Sequence, residues 1–90
     1  MVQIVENWSQ VQGRVVGVVP ASGPNGFSAV QLDVHAAATV DGFPNLLARH
    51  VGERLDIFVP DALAHTLSVG QHVAWRARRA GPHKVFATTD

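Results

Sequence analysis

The chain has 90 residues, 47% of them hydrophobic and 16% charged, the composition of one globular domain rather than a disordered tail. Its seven basic and seven acidic residues cancel, so it lacks the basic surplus behind strong nonspecific binding to nucleic acid. Cysteine is absent, which excludes disulfides, thiolate metal sites and a cysteine nucleophile.

The segment Met1–Asn7 has neither the basic n-region nor the apolar h-region of a signal peptide. No apolar run approaches the ~18–20 residues of a membrane helix. The expectation is one cytoplasmic domain over residues 1–90, with no membrane partner.

Val11-Gln12-Gly13-Arg14-Val15-Val16-Gly17-Val18-Val19, ended by Pro20, is the first strand signal. β-Branched valines suit a pleated surface, while two glycines inside the run predict a bend, a bulge or a loosely packed edge. Ala21-Ser22-Gly23-Pro24-Asn25-Gly26 is a dense turn cluster. From Phe27 to Ala36 the pattern has period 2: Val30, Leu32 and Val34 share one face, and Ala29, Gln31, Asp33 and His35 the other. That is a strand with one wet face, free to continue through Ala37-Ala38-Thr39-Val40.

Asp41-Gly42-Phe43-Pro44-Asn45 breaks the pattern, and Asn45–Gly52 reads as one or two helical turns closed by Gly52 or as an extended connection. Leu55, Ile57 and Val59 then alternate with outward Asp56 and Phe58 until Pro60. In Asp61–Leu67, Asp61 is a candidate N-cap, and the i, i+4 spacing of Leu63 and Leu67 predicts a short helix resting on the core. The last unit is a hairpin. Val73, Trp75 and Ala77 face inward, His72, Ala74, Arg76 and Arg78 face outward, Gly81-Pro82 turns the chain, and Val85 and Ala87 pack on the return.

Five short strands with a helix between the third and fourth resemble the OB-fold, a partly open Greek-key barrel. The fold class expected is therefore mostly all-β, a five-stranded OB-like barrel. Two stretches, Gln12-Gly13-Arg14-Val15-Val16-Gly17-Val18 and Leu67-Ser68-Val69-Gly70-Gln71-His72-Val73, are similar to the first strand and the step before the fourth strand of TOBE and Mop-type molybdate-binding domains. Mop-type domains carry Ser-Ala-Arg-Asn just before the first strand. Here that place holds Glu6-Asn7-Trp8-Ser9, so the oxyanion-binding residues do not carry over.

No catalytic residues are assigned. Ser9, Ser22, Ser28 and Ser68 lack a nucleophile signature, and Asp33, Asp56 and Asp61 read as solvent-side or capping acids. His35, His50, His65, His72 and His83 show no ligand spacing, so no metal and no other cofactor is expected. What remains is a non-catalytic binding module. Arg76, Arg78, Arg79 and Lys84 concentrate positive charge on the hairpin, and Phe58, Gln31 and His35 fall on the strand 2–3 face that OB-folds use for oligonucleotides. Cations for phosphates with aromatic faces for bases point to single-stranded DNA or RNA as the partner. Two alternatives stand beside it: a protein–protein or self-associating (homodimer) subunit docking through Phe43–Leu47 and strand edges, and TOBE-like binding of a small oxyanion.

Overall fold

Strand β1 (Ser9–Val19) is the axis of the fold, because it is the strand that meets both neighbours of the closing seam. The structure is a computed structural model that describes residues 6–81 and 84–88. β1 pairs antiparallel with β2 (Phe27–Thr39) along its length and with β4 (His72–Gly81) over Ser9–Arg14. β2 pairs antiparallel with β3 (Arg54–Pro60), β3 meets β5 (Lys84–Thr88) in parallel at Phe58↔Phe86, and β5 returns antiparallel on β4. The result is a closed barrel in the order β1-β2-β3-β5-β4, with a helical turn α1 (Asp61–Ala64) between β3 and β4. It is a mostly-β, closed five-stranded barrel, an architecture compatible with the OB-like fold expected.

Period 2 sorts the side chains as expected. Val11, Val15, Val30, Leu32, Val34, Ile57, Val59, Trp75, Ala77, Val85 and Ala87 fill the interior. At about 25 cal/mol per Å² their burial is the main stabilising term. Both strand glycines of β1 mark places where it curls. The β1–β2 register shifts between Gln12 and Gly13, skipping His35, and again between Val15 and Gly17, skipping Val16. A Cβ on Gly13 would lie 2.2 Å from the Asp33 carbonyl oxygen, so this crossing requires glycine because of close backbone approach.

β2 does run on to Thr39. The Asn45–Gly52 segment is a loop with a single 3₁₀ turn (Ala48–His50) and Gly52 at φ +87°. It closes one end of the barrel. Ser9 Oγ donates to Asn45 Oδ1 at 2.6 Å, Leu47 N–H donates to the same oxygen at 3.2 Å, and Asn45 Nδ2 donates to the Ala37 carbonyl at 2.9 Å. Leu47 is thereby fully buried.

Two local expectations change. Asp61 is not the N-cap: Pro60 holds that position, and the Asp61 carboxylate instead accepts from the buried Ser28 hydroxyl at 2.6 Å. The helix is one turn long, ending at Ala64, so Leu67 reaches the core from the following turn rather than from the helix. The predicted Gly81-Pro82 turn and His83 lie partly or wholly outside the described residues. Among the described residues, no helix is long and apolar enough to cross a membrane.

Candidate functional site

The candidate site is built on β4. Because Trp75 and Ala77 point into the barrel, Arg76 and Arg78 stand outside and exposed. Their register carries the surface onto β5, where Arg78 faces Phe86, Arg76 faces Thr88 and Gly81 faces Lys84. Lys84 is exposed, so Arg76, Arg78 and Lys84 share the β4–β5 exterior. On the other side of β4 the outward register pairs are Gln10↔Arg76, Gln12↔Ala74 and Arg14↔His72. Arg78 also lies over the Trp8 ring, 5.9 Å from its centre, a cation–π contact worth about 0.5–1 kcal/mol at an exposed site.

Charge is segregated around the barrel. β1, β4 and β5, which are contiguous, contain Arg14, Arg76, Arg78, Arg79 and Lys84 and not one acidic residue. The strand acids Asp33 and Asp56 stand on β2 and β3. Asp33 is further neutralised by Arg54 Nε at 3.0 Å. A chain with no net charge therefore presents one basic wall.

The aromatic residues lie at the edge of that wall. Phe58 faces outward as expected, but it is half-buried rather than an open platform. Its ring centre is 5.4 Å from that of Phe86, and Phe86 lies edge-to-face with Phe27 at 5.2 Å. Gly23 of the β1–β2 loop covers Phe58 closely enough that a Cβ there would come 2.7 Å from its ring. Gln31 and Phe58 share a groove with Val19, Ser22, Ala29 and Asp56. Asp56 makes that groove a poor place for a phosphate.

Two residues expected at the site fall elsewhere. Arg79 is in register with inward-facing Val85, and its side chain turns to the barrel end. There its backbone N–H donates to Asn7 Oδ1 at 2.8 Å, Asn7 Nδ2 donates back to its carbonyl at 2.9 Å, and its guanidinium donates to His50 Nε2 at 2.6 Å. Guanidinium has no acceptor, so His50 Nε2 must offer a lone pair, and the ring proton sits on Nδ1 facing Glu53 Oε1 at 3.2 Å. A cleft of about 500 Å³ lined by Asn45, Leu46, Ala48, Arg49 and Arg79 opens beside it. His35, four residues beyond Gln31, lies instead across β1 from His72, with ring centres 5.8 Å apart.

Sequence reading missed Arg14 and Trp8 as members of the basic wall. Arg14 was legible, since it alternates with inward Val15. Trp8 was not, because only the closure of β1 on β4 brings it beneath Arg78. Set against known proteins, the chain matches no family model, no curated protein and no solved structure.

Proposed function

We propose that the protein is a non-catalytic module that binds single-stranded nucleic acid along the exterior of β5–β4–β1. The observation that carries this reading is the acid-free wall formed by those three strands. Arg76, Arg78, Lys84 and Arg14 contact phosphates, while Trp8 on one flank and Phe86 on the other offer rings to bases. Stacking is sequence-tolerant and phosphate contacts are sequence-blind, so the module reads strand rather than sequence. Single strands give a slope of about −0.7 in log K against log salt per phosphate neutralised, so three or four contacts weaken binding about 10–22-fold for each threefold rise in salt. Anisotropy of a labelled oligonucleotide tests this. Binding at ~50 mM salt that fades with that slope supports it, and no binding at ~50 mM salt sinks it, since phosphate contacts are strongest there.

A second reading rests on the groove beside Phe58. Val19, 50% exposed, joins Ala29 and Phe58 in an apolar floor rimmed by Gln31 and Asp56, a surface suited to another protein chain or a second copy. Sedimentation at high concentration separates the two: a monomer there removes the self-association version.

A further inference from the structure

The structure joins His35 and His72 in a way their spacing in the chain does not announce. They belong to β2 and β4, the two strands that flank β1. Where the β1–β2 register slips between Gln12 and Gly13, His35 is the residue of β2 left without a β1 partner. The slip leaves its ring 5.8 Å, centre to centre, from the His72 ring, at an interplanar angle of 49°. Both side chains are exposed, and they line one cleft of about 290 Å³ with Gln12, Gly13, Val73 and Ala74.

We propose that this cleft is a binding site for a divalent transition metal, held by one nitrogen of His35 and one of His72. Imidazole is the ligand suited to zinc, nickel and copper. With metal–nitrogen bonds of about 2.0–2.1 Å, two imidazoles on a tetrahedral ion have ring centres about 5 Å apart. The observed separation exceeds that by less than about 1 Å, within reach of χ1 and χ2 adjustment of exposed side chains. Exposed Gln12 also lines the cleft. Among the described residues no group of three or more His, Asp, Glu or Cys converges, so water or an external ligand fills the remaining positions. The site is open and exchangeable, unlike a structural zinc centre. Arg14, in register with His72, is the nearby cation that opposes the bound ion, and Asp33 on β2 offsets it from the other side.

Calorimetric titration of the full chain with Zn²⁺ tests the site, with His35→Ala, His72→Ala and His65→Ala compared alongside. His65 is exposed and sits at the end of α1. The expected result is uptake of one ion, weakened by at least about tenfold in each of the first two variants and unchanged in the third. Equal unfolding midpoints for all four proteins confirm that the substitutions act on the site. With Cu²⁺ in place of zinc, electron paramagnetic resonance reads two coupled nitrogens in the wild type and one in His35→Ala or His72→Ala. Failure of the folded wild type to take up zinc overturns the assignment. So does uptake that survives both His35→Ala and His72→Ala, or that His65→Ala weakens equally.

Discussion

Gly13→Ala is the substitution on which the geometry makes its sharpest demand. The added methyl would lie 2.2 Å from the Asp33 carbonyl oxygen and 2.9 Å from Leu32 Cγ, when an ordinary contact needs well over 3 Å. Neither neighbour gives easily, because one is β2 backbone at a register slip and the other is a fully buried core side chain. Overpacking of this kind costs about 1–3 kcal/mol, and a backbone obstacle puts it at the top of that range, about 3 kcal/mol. A domain of this length has a stability of roughly 5–13 kcal/mol, so the loss is a large fraction of the whole. It should lower the melting temperature by about 12–24 °C. Gly17→Ala is the control within the same strand. Its methyl would meet only the far end of the exposed Gln31 side chain, Oε1 at 2.8 Å, which can swing into solvent. Gly17 lies outside the left-handed region, and restricting the unfolded chain there contributes about 0.4–1 kcal/mol of stability. The Gly17 variant should therefore stay within about 1 kcal/mol of wild type. Urea unfolding followed by fluorescence of the buried Trp75 measures both, read as midpoint at constant slope. A Gly13→Ala midpoint matching wild type, or a larger loss at Gly17 than at Gly13, would refute the close-approach argument.

Arg78→Ala should flatten the salt dependence of oligonucleotide binding by about 0.7 in log–log slope, whereas Arg79→Ala should leave the slope unchanged and lower stability instead, because its guanidinium serves the barrel end. Titration of both variants at several salt concentrations distinguishes them, and an equal effect from the two would contradict their placement. Asn45→Ala removes the acceptor of the fully buried Ser9 hydroxyl together with the donor to Ala37. It should cost about 2–3 kcal/mol in chemical denaturation, the range for buried polar groups left unsatisfied. Asn45→Asp should recover part of that loss, since the carboxylate still accepts from Ser9 and Leu47.

Strand positions were legible in the sequence because inward and outward residues alternate wherever one wall faces the core, as at Val30-Leu32-Val34 and Val73-Trp75-Ala77. Gly13 and Gly17 signalled a bend, a bulge or a loose edge, and the structure shows a register shift beside each. Arg79 was also legible: continuing the period from Ala77 puts it on the inner face, although its basic neighbours invite grouping it with them. What could not be read was contact across strands far apart in the chain. Phe58 looks like an open aromatic until the parallel β3–β5 pairing sets Phe86 against it. The meeting of His35 with His72 depends on a register slip of one residue, which composition and spacing do not encode.

Net charge misleads for a related reason. Summing seven cations against seven anions gives zero, but the sum ignores that a barrel sorts its strands around a circumference. The principal extents are 31 × 28 × 23 Å, so opposite walls are separated by more than the ~8–10 Å over which exposed charges act at physiological salt. Asp56 on β3 does little to weaken the field over Arg76 on β4. Asp33, nearer on β2, is already engaged by Arg54. A phosphate approaching the β5–β4–β1 wall meets Arg76, Arg78 and Lys84 on strands that carry no acid, while Arg14 at the margin stands in register with Asp33. The neutrality of the whole chain then limits long-range steering rather than contact affinity. An interface of this kind should associate at rates nearer the ordinary ~10⁵–10⁷ M⁻¹s⁻¹ than the electrostatic ceiling, while its dissociation still depends on salt.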